Sequence, residues 1–317
     1  MSNLVAAVTA ALSLLTVTIG HSVDALDRHP DTYVVSREEG VLPEGITVTA
    51  EGVMYVTSAA TGAVYRGHVR RPELRPFLAA GSDGRTSAAG IHTDRRGRLY
   101  IAGWDTGTLF MYTPDGVLLA RRVAPAGAAL NDLTVTDDAV YVTDSATGTV
   151  WRAAVDGTRV GNLTPWLTAR DLPTTPGFLN GIVATPDGRL ALVADQGTGD
   201  PGTERLYRVD LRRRTATVVD VRGGQLGADG LLLHGDRLYG VVNFPDGQGG
   251  WRFAVNVAVL DAGRRLARVV GQSRPAPLAQ SPTTLARHGG RLLWVNSQLN
   301  AAVPTPPFTV TEVPGLC

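Results

Sequence analysis

The 317-residue chain contains no lysine, and its only cysteine is the final residue, Cys317. A lone cysteine closes no intrachain disulfide and builds no cysteine-based zinc cluster. Charge is also scarce: Asp, Glu and Arg make up 19% of the residues, against a typical ~25%, and the formal net charge is +1. A nucleic-acid binder needs a basic stripe to neutralise phosphates, and this balance supplies none. The sequence has no GxSxG elbow, HExxH pair, Walker loop or CxxC motif. Serine-hydrolase, zinc-peptidase and nucleotide mechanisms therefore have no foothold. Beyond one apolar run near the N terminus, no stretch is long enough for a stable membrane span.

What is present is a core-forming, turn-rich composition. Hydrophobic residues are 44% of the chain, and 37 glycines and 19 prolines accompany abundant Val and Thr. Such a chain buries a sizeable core, built from many short strands and tight turns rather than helices. Residues Leu4 to Gly20 are uncharged and mostly apolar, followed by Val23-Asp24-Ala25. This reads as a secretory signal cut after Ala25, leaving 26–317 as a single, exported domain. Met1-Ser2-Asn3 carries no basic residue, so the competing reading is an N-terminal apolar segment packed on a cytoplasmic protein.

A repeat organises the rest. "MYVTSAATGAVYR" (54–66) and "VYVTDSATGTVWR" (140–152) are identical at eight of thirteen positions, and "YIAGWDTGTLFMY" (100–112) has the same Thr-Gly turn. Each unit is preceded by a short strand with a recognisable start: "PEGI", "AAGI", "LNDL", "LNGI", "ADGL" and, more weakly, "PTTL". The second residues of these tetrads are Glu44, Ala89, Asn131, Asn180, Asp229 and Thr283, spaced 45, 42, 49, 49 and 54 residues apart. That is the length of a four-stranded propeller blade. The expectation is an all-β, six-bladed β-propeller with a central channel, closed by strands at Thr32 to Ser36 and Phe308 to Val313.

In such a ring the six tetrad positions line the channel at one end. Four of them, Glu44, Asn131, Asn180 and Asp229, carry carboxylate or amide oxygens, which are the ligands of a hard cation such as calcium. Two carboxylates in one small volume repel unless a cation or a shared proton compensates. No thiol or histidine belongs to the set, which favours Ca2+ and leaves Zn2+, Mn2+ and Mg2+ as alternatives.

With "PEGI" in the first blade, "ND" in the third, "NGIVATPDGRLALVAD" in the fourth and "DGL" in the fifth, the chain resembles a known family from about Thr32 onward. This is the senescence marker protein (regucalcin)/gluconolactonase-like family of six-bladed propellers, whose relatives include diisopropyl-fluorophosphatase and paraoxonase. The resemblance implies a divalent cation at the channel mouth held by Glu44, Asn180 and Asp229. It makes Asn131 a ligand, directly or through water, or a substrate contact, and Asp229 the general base or nucleophile. The chain departs from the pattern at Ala129, where sugar-lactonase members often carry an Arg that contacts a sugar acid; this favours a less charged substrate.

The expected function is metal-dependent hydrolysis of a lactone or similar ester by a monomer. The competing functions are a non-catalytic ligand-binding propeller with a structural cation, and a metal-assisted isomerase or cyclase. Second strands are expected to end at Ser58, Trp104, Asp144, Asp195, Asn243 and Asn296. Asp144 and Asp195 then either support the ring from behind or cap turns. Long connections, Asp195 to Glu204 and Asn243 to Trp251, face the site, and Trp104, Phe244 and Trp251 are candidate walls of an apolar substrate pocket. His92 and His234 read as blade-interior or turn residues.

Overall fold

The computed structural model describes residues 29–245, 247, 250–277 and 280–316. The apolar segment at 1–25, with its expected signal, and Cys317 lie outside the described residues.

Six antiparallel sheets form the six blades of a propeller, with a single short 3-10 turn, Ser82–Gly84, as the only helical element among the described residues. Blade 1 is typical: Pro43–Val48, Val53–Ser58, Val64–His68 and Arg75–Leu78 follow one another from channel to rim. The innermost strands of blades 2 to 6 are Ile91–Thr93, Leu130–Val135, Leu179–Ala184, Leu231–His234 and Pro282–His288. Blade 6 closes the ring from both chain ends. Its third strand, Phe308–Glu312, pairs with Thr32–Ser36, so that Tyr33 faces Val310. Pairing the first and last strands in one sheet leaves no gap through which the ring can open.

Alternation along these strands places the apolar core between blades. Tyr100, Leu109 and Met111 of blade 2 meet Leu133, Val140 and Val142 of blade 3 in one buried cluster, and equivalent clusters join the other blades.

The channel end of each inner strand is irregular in a repeated way. The register with the second strand shifts between Pro43 and Ile46, Leu130 and Leu133, Leu179 and Ile182, and Pro282 and Leu285. These bulges sit on the tetrads and turn their second residues toward the axis. In blades 2 and 5 the tetrad precedes the regular strand, yet Ala89 N donates to Ala102 O at 2.8 Å and Asp229 N to Val241 O at 2.8 Å, which keeps both in the same relation to their second strands. Glycine follows the channel residue in four blades because neighbouring inner strands approach closely there. A Cβ on Gly181 would sit 2.6 Å from Asp229 O of the next blade, and one on Gly90 would sit 2.6 Å from Asp132 Oδ1.

Two strand ends differ from the expected positions. In blade 2 the second strand is Leu99–Ala102, and Trp104 lies beyond it, bridged to Leu130 of blade 3. In blade 5 the strands Arg237–Pro245 and Trp251–Leu260 continue past Asn243 as a projecting hairpin, pairing Asn243 with Phe253 and Pro245 with Trp251. Blade 5 also gains Asp220–Arg222, which runs parallel to the rim strand Leu266–Gln272.

Candidate metal centre at the channel mouth

All six tetrad positions line one cavity of about 470 Å³. Polar side chains come from blades 1, 3, 4 and 5, as Glu44, Asn131, Asn180 and Asp229; Ala89 and Thr283 complete the ring. Thr283 does mechanical work, its hydroxyl donating to Glu44 O at 2.8 Å across the blade 6–blade 1 seam. Thr57 and Thr143 make the same kind of tie, donating to Ala89 O at 2.5 Å and Asn180 O at 2.7 Å.

The two ring amides are oriented by the residue just past the end of the adjacent strand. Asn131 Nδ2 donates to Ser145 Oγ at 2.9 Å, and that hydroxyl donates onward to Leu179 O at 2.6 Å. Asn180 Nδ2 donates to Gln196 Oε1 at 3.0 Å and to Asp229 Oδ1 at 2.9 Å. An ionised carboxylate oxygen only accepts, so with Asp229 ionised the Asn180 nitrogen faces it. The Asn180 Oδ1 atom is left buried with no hydrogen-bond partner. A buried carbonyl oxygen without a donor is disfavoured unless something positive meets it.

Among the described residues the ring carboxylates have no cationic neighbour either. Glu44 is 8% exposed. Burial, followed by the charges of Asp229 and Asp132, holds its carboxyl well above the usual range. Burial also raises Asp229, with Asp132 adding to the effect and the Asn180 hydrogen bond opposing it. Asp132, the residue after Asn131, sits where four other blades have glycine. It lines a small inner cavity of about 20 Å³ together with Gly45, Gly90 and His92. Burial pushes its carboxyl up to about 7, although the amides of Leu133 and Ile182 donate to it at 2.8 and 3.2 Å. Burial likewise lowers the pKa of His92, favouring the neutral imidazole.

These donors fit a hard divalent cation: two carboxylates without cationic partners, one orphaned amide oxygen and a second amide, converging on one cavity. Among the described residues no three His, Cys, Asp or Glu side chains cluster as a metal-binding group. A cation in this cavity therefore depends on amide oxygens as well as carboxylates, and the all-oxygen set disfavours zinc.

Asp144 and Asp195 do not touch the ring side chains. Asp144 Oδ1 accepts from the amides of Ala129 and Ala146, both at 3.0 Å, and its Oδ2 accepts from Trp151 Nε1 at 2.9 Å. Asp195 Oδ1 accepts from the amides of Phe178 and Gly197, both at 2.9 Å. Each carboxylate caps its own strand end and pins the segment leading into Leu130–Asn131 or Leu179–Asn180, so its influence on the amides is exerted through the backbone.

The apolar lining also differs from expectation. Trp104 lines the cavity, but Phe244 and Trp251 do not. Strand alternation explains the exchange: Phe253 pairs with Asn243 and shares its cavity-facing side. Phe244, one residue on, faces the other way and packs against the blade 4–blade 5 core. Trp251 lies two residues farther out along the hairpin and is 39% exposed. Leu42, Phe178, Phe253 and Leu299 complete the apolar wall. Trp104 stacks obliquely on Phe178, with ring centroids 6.2 Å apart. Trp104 and Leu42 both have positive φ, 46° and 43°, a left-handed backbone that disfavours bulky residues by roughly 1–3 kcal/mol. A larger cleft of about 760 Å³ opens where the blade 3 and blade 4 turns meet, but none of the six tetrad residues lines it.

No protein-family model matches the chain, and no curated protein matches it. Solved structures do match. The calcium-binding protein regucalcin from Agrobacterium tumefaciens is similar with a TM-score of 0.58 and 20% identity, over 90% of this chain and 95% of that one. Catalytically inactive virginiamycin B lyase from Staphylococcus aureus with quinupristin gives 0.57 and 12%, over 88% of this chain and 82% of that one. A luciferin-regenerating enzyme gives 0.57 and 12%, over 87% and 92%. At these identities the likeness shows a shared propeller fold.

Proposed function

We propose that the protein is a metal-dependent hydrolase of a lactone or related ester, acting at the channel mouth. The observation that carries this reading is the convergence of Glu44, Asn131, Asn180 and Asp229 on one cavity, with the Asn180 carbonyl oxygen buried and unpartnered. Glu44, Asn180 and Asp229 would hold the cation, with Asn131 as a further ligand or substrate contact. Regucalcin, on the same fold, is described as calcium-binding, which supports calcium as the ion. A bound divalent cation supplies Lewis acidity toward a carbonyl oxygen.

The chain's own contribution is proton handling and orientation. Asn180 Nδ2 fixes Asp229 through Oδ1 at 2.9 Å, and among the described residues Oδ2 accepts no hydrogen bond. Asp229 Oδ2 takes a proton as water oxygen bonds to the acyl carbon; the ring C–O bond then breaks and the same proton passes to the departing alkoxide. Asn131, held by Ser145, orients the substrate beside it.

Elemental analysis of the purified protein, paired with a lactone and organophosphate panel with and without chelator, tests the proposal. The expected result is one bound divalent ion and lactone turnover that chelation abolishes and calcium restores. Turnover indifferent to chelation, in protein free of divalent metal, would refute it.

A further inference from the structure

We infer that the cavity selects uncharged substrates bearing an apolar arm, which lies across Trp104, Leu42 and Phe178; the inference rests on the ester hydrolysis proposed for the same site.

Charge gives the first argument. Among the described residues no Arg or His lines the cavity, and its charged groups are Glu44 and Asp229. Against one divalent cation these two carboxylates leave a formally neutral site, with no positive group free to pair with a substrate anion. Backbone geometry gives the second. Trp104 and Leu42 occupy left-handed conformations, with φ of 46° and 43°, that Gly or Asn adopts more readily. Both are held there by neighbouring backbone: Trp104 N donates to Leu130 O at 2.9 Å and Leu130 N returns to Trp104 O at 3.1 Å, while Ala59 N donates to Leu42 O at 3.0 Å. A turn by itself does not require a large apolar side chain at either position. Both side chains line the same cavity, Trp104 against Phe178, and neither has a part in the proton transfer. Leu299, 42% exposed, extends this apolar wall. An alkyl or aromatic arm on the reacting ring is the partner that such a surface removes from water.

Two series separate this inference from the hydrolase reading. The first is a set of γ-lactones with side chains from methyl to hexyl, compared with a polyhydroxylated and a carboxylate-bearing lactone. The expected kcat/KM rises about three- to fourfold per added methylene over the first few carbons, and the polar lactones fall at or below the methyl compound. The second is a matched set of 2-alkylcyclopentanones, which have no cleavable ester, followed by calorimetry; their affinity should climb with arm length in the same way. Trp104→Gly, whose backbone tolerates the left-handed turn, and Phe178→Ala, checked for folding by circular dichroism, should each flatten both slopes. Length-dependent ketone binding without lactone turnover upholds the apolar site and removes the hydrolase. Turnover without arm-length dependence, or preference for the carboxylate-bearing lactone, overturns the apolar site and leaves the hydrolase standing. Neither turnover nor ketone binding overturns both.

Discussion

Carboxylates in the hairpin turns of this propeller and carboxylates on its axis are the same chemical group in opposite circumstances. In the hairpins they close turns. Asp187 accepts from Thr185 Oγ1 at 2.6 Å and Arg189 N at 3.1 Å, and Asp261 accepts from the amides of Arg265 and Leu266 at 2.6 and 2.7 Å. Those hydrogen bonds hold both carboxyls below their usual range. On the axis, burial drives Glu44, Asp132 and Asp229 the other way. Turns offer amide donors at their open ends; the bulged inner strands bring side chains together where few donors remain. The turn acids are therefore finished structure, while the axial acids are left requiring a cation or a proton.

The strongest way to break this contrast is by activity. Asp229→Asn and Glu44→Gln should each lower lactone turnover by about 10²–10⁴-fold, with circular dichroism unchanged, whereas Asp187→Asn in a hairpin turn should stay within about twofold of wild type on the same scale. Turnover that survives both axial substitutions removes the assigned roles. A smaller effect tests how the ring is aimed. Gln196→Ala frees the Asn180 amide and should weaken calcium affinity by about tenfold or more, as loss of a ligand's supporting partner does; titration calorimetry giving an unchanged Kd would exclude Gln196 from that role.

The smallest effect is a pH dependence with two limbs of opposite origin. The axial pKa values are raised on folding, Asp132 and Asp229 to about 7. The folded cation-free protein therefore keeps protons that the unfolded chain releases above about pH 4. Its stability declines as pH rises from there through about 7. The turn carboxylates are depressed, so their contribution is present above the unfolded pKa and is lost as pH falls through the folded one. Chelated protein should melt lower at pH 8 than at pH 5, by several degrees or more, and calcium should cancel the difference. A Tm that is flat or rising across that interval in chelated protein contradicts the axial assignment.

Much of the fold was legible because a propeller repeats. The Thr-Gly hairpins and the tetrads carry a period, and the period alone places Glu44, Asn131, Asn180 and Asp229 at one phase. Asp132 went unread although it breaks the pattern of glycine after the channel residue in four blades, and its burial beneath the ring depends on the neighbouring blades. Ser145 and Gln196 went unread because each meets its amide within the blade, from just past the end of the second strand, through a side-chain bond that no spacing encodes. Phe244 and Trp251 were misplaced because the blade 5 hairpin runs on past Asn243, and one residue of strand reverses the face a side chain presents.

From the sequence alone came the number of blades, the end of the channel where oxygen atoms gather, and the absence of thiols and lysine from any chemistry there. Local alternation and turn residues determine those features, and they recur often enough to be read in one dimension. Only the tertiary structure decided which oxygen lacked a donor, which acids lost their water and which apolar side chains reached the mouth. Each of those outcomes depends on what a neighbouring blade places within about 3 Å, the range over which hydrogen bonds form.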